Sequence, residues 1–247
     1  VQTRGELADS YLSEYAISHG GIQTGDTPKY VRKFWEMPDL GHEWQLIVSA
    51  PRSKSPYGGR DQCLWWENGE GAMVKEPGCF IRGRDAWQHD GVSLSKMGSL
   101  NTTLYKGELY DQAAPTVVPI QSGDLPAVWA FLSSAEYEPT LREHYAASVV
   151  TPATYVQVPF DVERWRRVAE DQFPDGLPSP WSDEPTQWLF EGRPEVASEP
   201  LQVAVGRLLG YRWPEQREAD DLDVLADEDG VVCLPSVLGE RPAAQRL

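Results

Sequence analysis

Between Gly20 and Glu36 the chain reads Gly-Gly-Ile-Gln-Thr-Gly-Asp-Thr-Pro-Lys-Tyr-Val-Arg-Lys-Phe-Trp-Glu, and this stretch restricts the fold more than any other. Its first half holds three glycines, a proline and Thr/Asp side chains able to bond their own backbone, which is the composition of a loop. Its second half alternates. Tyr30, Arg32, Phe34 and Glu36 would point one way in an extended chain, and Val31, Lys33, Trp35 and Met37 the other. The expectation is a polar loop feeding a strand that interleaves cations with aromatics. Such a strand offers donors and stacking faces to a polyanion with planar bases. It equally suits a half-buried strand whose Lys and Arg are merely solvated.

Charge decides where a polyanion could sit. The whole chain of 247 residues carries a net charge of −16, which is unusual for a nucleic-acid binder. The imbalance is local. Residues 1–110 hold 12 Lys+Arg against 14 Asp+Glu, residues 111–247 hold 10 against 24, and residues 29–60 hold six cations against three anions. No lysine follows Lys106, so a DNA-facing surface is expected in the first half only.

Other classes are excluded by what is missing. No run of 18 or more apolar residues is present to span a bilayer as a helix. Cys63, Cys79 and Cys233 are odd in number and lack paired spacing, against a disulfide framework or a structural zinc site. His19, His42, His89 and His144 are scattered and carry no metal motif. The start, Val1-Gln2-Thr3-Arg4, lacks a signal pattern and a first Met, so a piece of a longer cytoplasmic chain is expected.

Along the chain, Leu7, Leu12, Tyr15 and Ala16 fall at helical spacing, predicting a helical lead-in over residues 1–19 that stops at Gly20-Gly21. Trp44–Val48 is a short apolar strand. Pro51-Arg52-Ser53-Lys54-Ser55-Pro56-Tyr57-Gly58-Gly59-Arg60 is a basic loop leading into Cys63-Leu64-Trp65-Trp66-Glu67. The bland reading of it is a hairpin turn with one buried and one rim Trp. The sharper one is a loop whose backbone can approach phosphates at Gly58 and Gly59. Residues 79–120 read as successive strands with turns at Gly83, Gly91 and Gly107. Asp124 and Pro126 open an apolar helix through Ser133, and Asp161 can cap an amphipathic helix through Val162, Trp165, Val168 and Ala169. Arg164, Arg166 and Arg167 on that helix read as a solvated face balancing nearby acids, with a phosphate contact as the alternative. Prolines crowd 173–200, a helix is expected from Leu201 to a cap at Gly210, and the tail is acidic at 218–229. The fold class predicted is α+β: a mixed or antiparallel sheet-centred recognition domain over 20–135, then a helical and extended acidic segment over 136–247.

Gly21-Ile22-Gln23-Thr24-Gly25-Asp26, then Lys29-Tyr30-Val31-Arg32 and Trp35-Glu36, resembles the start of the target-recognition region of single-chain adenine-N6 DNA methyltransferases. These enzymes belong to BREX, DISARM-like and Type IIG/IIL restriction-modification systems. The second basic loop with Gly58-Gly59, followed by Trp66-Glu67 and a glycine, is similar to a second motif of that family, as is the strand pair within Ser99–Asp111. The turn Leu132-Ser133-Ser134 departs slightly from the family's Leu-Asn-Ser, and Gly210–Pro214 resembles a late segment of it. The resemblance implies a DNA sequence-recognition function, double-stranded DNA as partner, and an upstream methyltransferase domain beside other defence-system subunits. It also implies S-adenosylmethionine in the parent enzyme. The catalytic motifs themselves are absent here: no Asn-Pro dipeptide occurs and Gly69-Glu70-Gly71 lacks a third glycine, so this chain alone is expected to bind no cofactor and transfer no methyl group.

Side-chain chemistry assigns the expected contacts. Gln23, Arg32, Arg52, Arg60 and Gln62 are of the type that reads base edges, and Lys29, Lys33 and Lys54 would sit on phosphates. Thr24, Gly25, Tyr30, Tyr57, Gly58 and Gly59 complete the two loops, which are expected to converge on one face. Ten Trp and ten Tyr also suit a carbohydrate-binding module, and the acidic half suits a protein-interaction module.

Overall fold

Two four-stranded sheets and a short two-stranded ribbon organise the first of two compact units, Val1–Ser179, the second being Pro180–Leu247. The computed structural model describes residues 10–36, 40–52, 55–147, 149–180 and Val205. The strands are β1 (Ala16–His19), β2 (Gln23–Thr24), β3 (Val31–Lys33), β4 (Trp44–Val48), β5 (Gln62–Trp65), β6 (Cys79–Phe80), β7 (Asp90–Leu94), β8 (Thr102–Lys106), β9 (Leu109–Tyr110) and β10 (Thr116–Pro119). The helices are α1 (Thr27–Tyr30), α2 (Leu125–Ser133), α3 (Tyr137–His144) and α4 (Val162–Gln172). The fold is α+β.

The first sheet runs β1-β10-β7-β8 and is antiparallel throughout. Strand β10 is rich in β-branched residues, and its Thr116 hydroxyl pairs with that of Ser93 on β7 at 2.6 Å. Helix α2 packs on β7, β8 and β10 with one side and on α4 with another. That double contact explains why Ala127 through Leu132 are all buried, with no polar stripe. Helix α4 is amphipathic: Val162, Trp165 and Ala169 are buried, and the Asp161 carboxylate caps it by accepting from the Arg164 amide at 2.9 Å. Phe131 joins the helices, with Tyr137, Phe160 and Trp165 at ring separations of 5.3, 5.2 and 5.1 Å.

The second sheet runs β3-β5-β4-β9 and is mixed, since β4 and β9 are parallel. Beneath it Ile22, Tyr30, Ile47, Leu64, Trp66 and Met73 form one cluster, and Tyr105 meets Tyr110 in a second at 5.3 Å. Ribbon β2–β6 pairs Gln23 with Phe80 and Thr24 with Cys79.

Several expectations change. Residues 12–19 form a 3-10 turn (Leu12–Glu14) and the edge strand β1, not a helix; pairing with β10 outweighs the local period, and residues 1–9 lie outside the described residues. Residues 27–36 are not one alternating strand. The Asp26 carboxylate and Pro28 start the single turn α1, only three residues pair as β3, and Phe34–Glu36 is a 3-10 turn. Helix α3 has no clear sequence signal. It lies with α4 in the same unit as the sheets, so that unit runs past residue 135 to Ser179. The helix expected at 201–210 and the acidic tail lie outside the described residues. No helix among the described residues is long and apolar enough to cross a membrane.

Candidate nucleic-acid interface

Backbone contacts explain Gly21 and Gly25 of the first loop. A Cβ on Gly21 would overlap the carbonyl of Asp111, where the Ile22 amide donates to Tyr110 O and Ile22 O accepts from the Gln112 amide, both at 2.8 Å. Residues 20–25 then run antiparallel to residues 77–84: Gly25 abuts Pro77, Gln23 and Thr24 pair with Phe80 and Cys79, and Gly83 abuts the Gly20 carbonyl. The Tyr110 hydroxyl donates to Gly83 O at 3.4 Å.

Within this first loop the expected contact residues divide. Gln23 is partly exposed, Gly25 is exposed, and Thr24 is buried with its hydroxyl 3.1 Å from that of Thr27. Tyr30 is buried and donates to Glu76 at 2.7 Å, where Lys29 also lands at 3.1 Å. The Tyr30 hydroxyl and the Glu76 carboxylate push the Lys29 ammonium up to about 12, and the same contacts hold Glu76 below its ordinary value. Arg32 is exposed and among the described residues donates to backbone carbonyls of its own segment, those of Pro28 and Val31.

The second loop is occupied from within. Gly59 has φ +81° and passes close over Ser49 O, so its glycine serves the turn. Arg60, read from sequence as a base reader, is 2% exposed. It donates to Glu108 Oε1 at 2.7 Å, Leu104 O at 2.8 Å, and Gly58 O and Thr103 Oγ1 at 3.3 Å. Its guanidinium is turned inward as a structural clamp. Tyr57 is buried beside it, donates to Pro178 O at 2.6 Å, and is pushed up to about 12 by burial. Gly58 is half-buried, and Gln62 is half-buried on β5 opposite Lys33. Lys33 and Arg52 converge on Asp61, the latter at 3.5 Å; Lys54 lies outside the described residues.

Strand register separates the two loops. In the antiparallel β3–β5 pair, Val31 faces Leu64 and Lys33 faces Gln62, so the first loop enters at one end and the second loop at the other. The stretches 22–33 and 52–62 meet where Lys33 and Arg52 share Asp61, with the glycine turns themselves at opposite ends of the pair. The cations the register gathers are Lys33 and Arg52, around a shared carboxylate.

The ribbon itself carries residues that sequence reasoning passed over. Phe80 is 49% exposed, with the Arg82 guanidinium 4.8 Å from its ring centroid, and Arg84 lies 5.1 Å from the Trp87 ring. Both arginines are exposed, and among the described residues neither forms an ion pair. Of the carboxylates nearby, Asp26 caps α1, Glu76 holds Lys29 and Tyr30, and Asp85 faces His19. The signal was present in the sequence as Phe80-Ile81-Arg82-Gly83-Arg84, an aromatic followed by alternating arginines about a glycine.

Most other aromatics are committed to packing. Trp44 stacks on Trp65 at 6.0 Å, Trp66 meets Trp87 edge-on at 5.8 Å, and Tyr11 and Phe80 are the exposed aromatics among the described residues. No cluster of three metal-ligating side chains occurs among the described residues. The chain matches no protein-family model and no curated protein.

Proposed function

We propose that this chain is the DNA sequence-recognition portion of a site-specific adenine-N6 DNA methyltransferase of a phage-defence or restriction-modification system, working in the cytoplasm. The observation that carries the reading is the ribbon formed by residues 20–25 and 77–84. Its second strand continues into exposed Arg82 and into Arg84, which opens the 3-10 turn Arg84–Ala86, both free of carboxylate partners among the described residues in a chain whose net charge is −16. A two-stranded ribbon fits a major groove about 12 Å wide, where paired arginine donors and the Gln23 amide match base edges and phosphates. The first loop motif of the resemblance, residues 21–26, lies on this ribbon, which supports the same assignment. Methyl transfer and S-adenosylmethionine binding would fall to the upstream domain of the parent enzyme.

Titrating a fluorescent pool of duplexes at a series of salt concentrations tests this. Duplex binding should weaken with salt, and the triple variant Arg32→Ala, Arg82→Ala, Arg84→Ala should flatten the log–log slope by about 0.9 for each phosphate left without its cation. A chain that binds no duplex at about 50 mM salt is not a recognition domain.

A further inference from the structure

We propose that Phe80 is a stacking wedge that enters the base stack of duplex DNA, with Arg82 holding its ring in place; this rests on the reading above and adds a named residue and mode of contact to it. Phe80 is 49% exposed on a paired strand, so about half of its ring is open to a ligand. Its backbone is not free to swing. Phe80 is paired with Gln23, and that strand is anchored by the Ile22–Tyr110 and Gln112–Ile22 hydrogen bonds at 2.8 Å. The Arg82 guanidinium at 4.8 Å from the ring centroid braces the side chain and supplies positive charge beside it. Across the ribbon, Gln23 offers an amide able to donate and accept in one plane. A hydrogen-bonded ribbon carrying a half-exposed apolar ring beside a cation matches the side chains that insert between base steps and partly unstack them. Phosphate-only binding needs no such ring.

The full chain is titrated with duplexes carrying 2-aminopurine at successive positions, whose fluorescence rises where stacking is broken. The wild-type chain should brighten the probe at one step. Phe80→Ala should abolish that signal and weaken binding roughly ten-fold or more, the range expected for loss of base–aromatic stacking, with the salt slope unchanged. Phe80→Trp should preserve both. Because the side chain is half outside the protein, Phe80→Ala should unfold at the wild-type temperature, which separates a contact from a fold defect. Wild-type affinity and an unchanged probe signal in Phe80→Ala overturn the wedge while leaving DNA recognition standing. Failure of the wild-type chain to bind duplex at all sinks the recognition reading first, and the wedge with it.

Discussion

Arg60 shows how a single residue can be charged and basic-loop by sequence yet belong to the interior. Its guanidinium reaches Glu108, Leu104 O, Gly58 O and Thr103 Oγ1, tying the second loop to β8. Removing it takes the cation from the Glu108 carboxylate, which keeps only the Lys106 amide among the described donors, and takes the guanidinium donor from Leu104 O. Arg60→Ala should therefore lower unfolding stability by about 3–5 kcal/mol, read as a drop in the urea midpoint at constant slope. Arg60→Lys should recover little, because an ammonium lacks the planar fork that serves several acceptors at once. Loss of duplex binding with unchanged stability would contradict this and return Arg60 to the interface. The sequence marks the loop as basic but carries no sign of burial, because the ion-pair partner lies 48 residues away. Phe80, Arg82 and Arg84 illustrate the reverse. Their types are legible, but their presentation depends on a two-residue pairing too short to give a periodic signal.

Among elements, those that bury a continuous face follow from pattern alone: α2, α4, β4 and the strands from β7 to β10. Those held by tertiary contacts do not. Helix α1 and strand β3 replace the long alternating strand because Asp26 caps the turn and because Lys29 and Tyr30 reach Glu76, just before β6. This junction gives a pH dependence whose sign is fixed. The Tyr30 hydroxyl first, then Lys29, depress Glu76, so its contribution is present above the ordinary carboxylate range and is lost as pH falls through the depressed value. Glu76→Gln keeps an acceptor for both partners but cannot ionise. Wild type should melt above Glu76→Gln near neutral pH, and the gap should close on acidification through the depressed Glu76 value, below the ordinary carboxylate range. A gap that persists unchanged in acid would mean the ionised carboxylate is not what holds α1.

At the scale of the molecule, the compact unit ends at Ser179, well beyond the boundary that the turn after α2 suggests. Cutting at residue 135 would strip Tyr137, Phe160 and Trp165 from around Phe131, each worth about 1.5–3 kcal/mol of burial. Residues 1–179 should thus unfold in one cooperative transition with dispersed amide resonances, whereas residues 1–135 should not. Charge adds a second expectation. Residues 1–179 hold 16 Lys+Arg against 24 Asp+Glu, and residues 180–247 hold 6 against 14, so truncation at 179 halves the net charge from −16 to −8. A polyanion meets less repulsion from the shorter chain. Residues 1–179 should bind duplex more tightly than the full chain at about 50 mM salt, and the two curves should merge toward 1 M, where the screening length falls to about 3 Å. Weaker binding by residues 1–179 at every salt concentration would place DNA contacts in 180–247 and displace the ribbon as the principal interface.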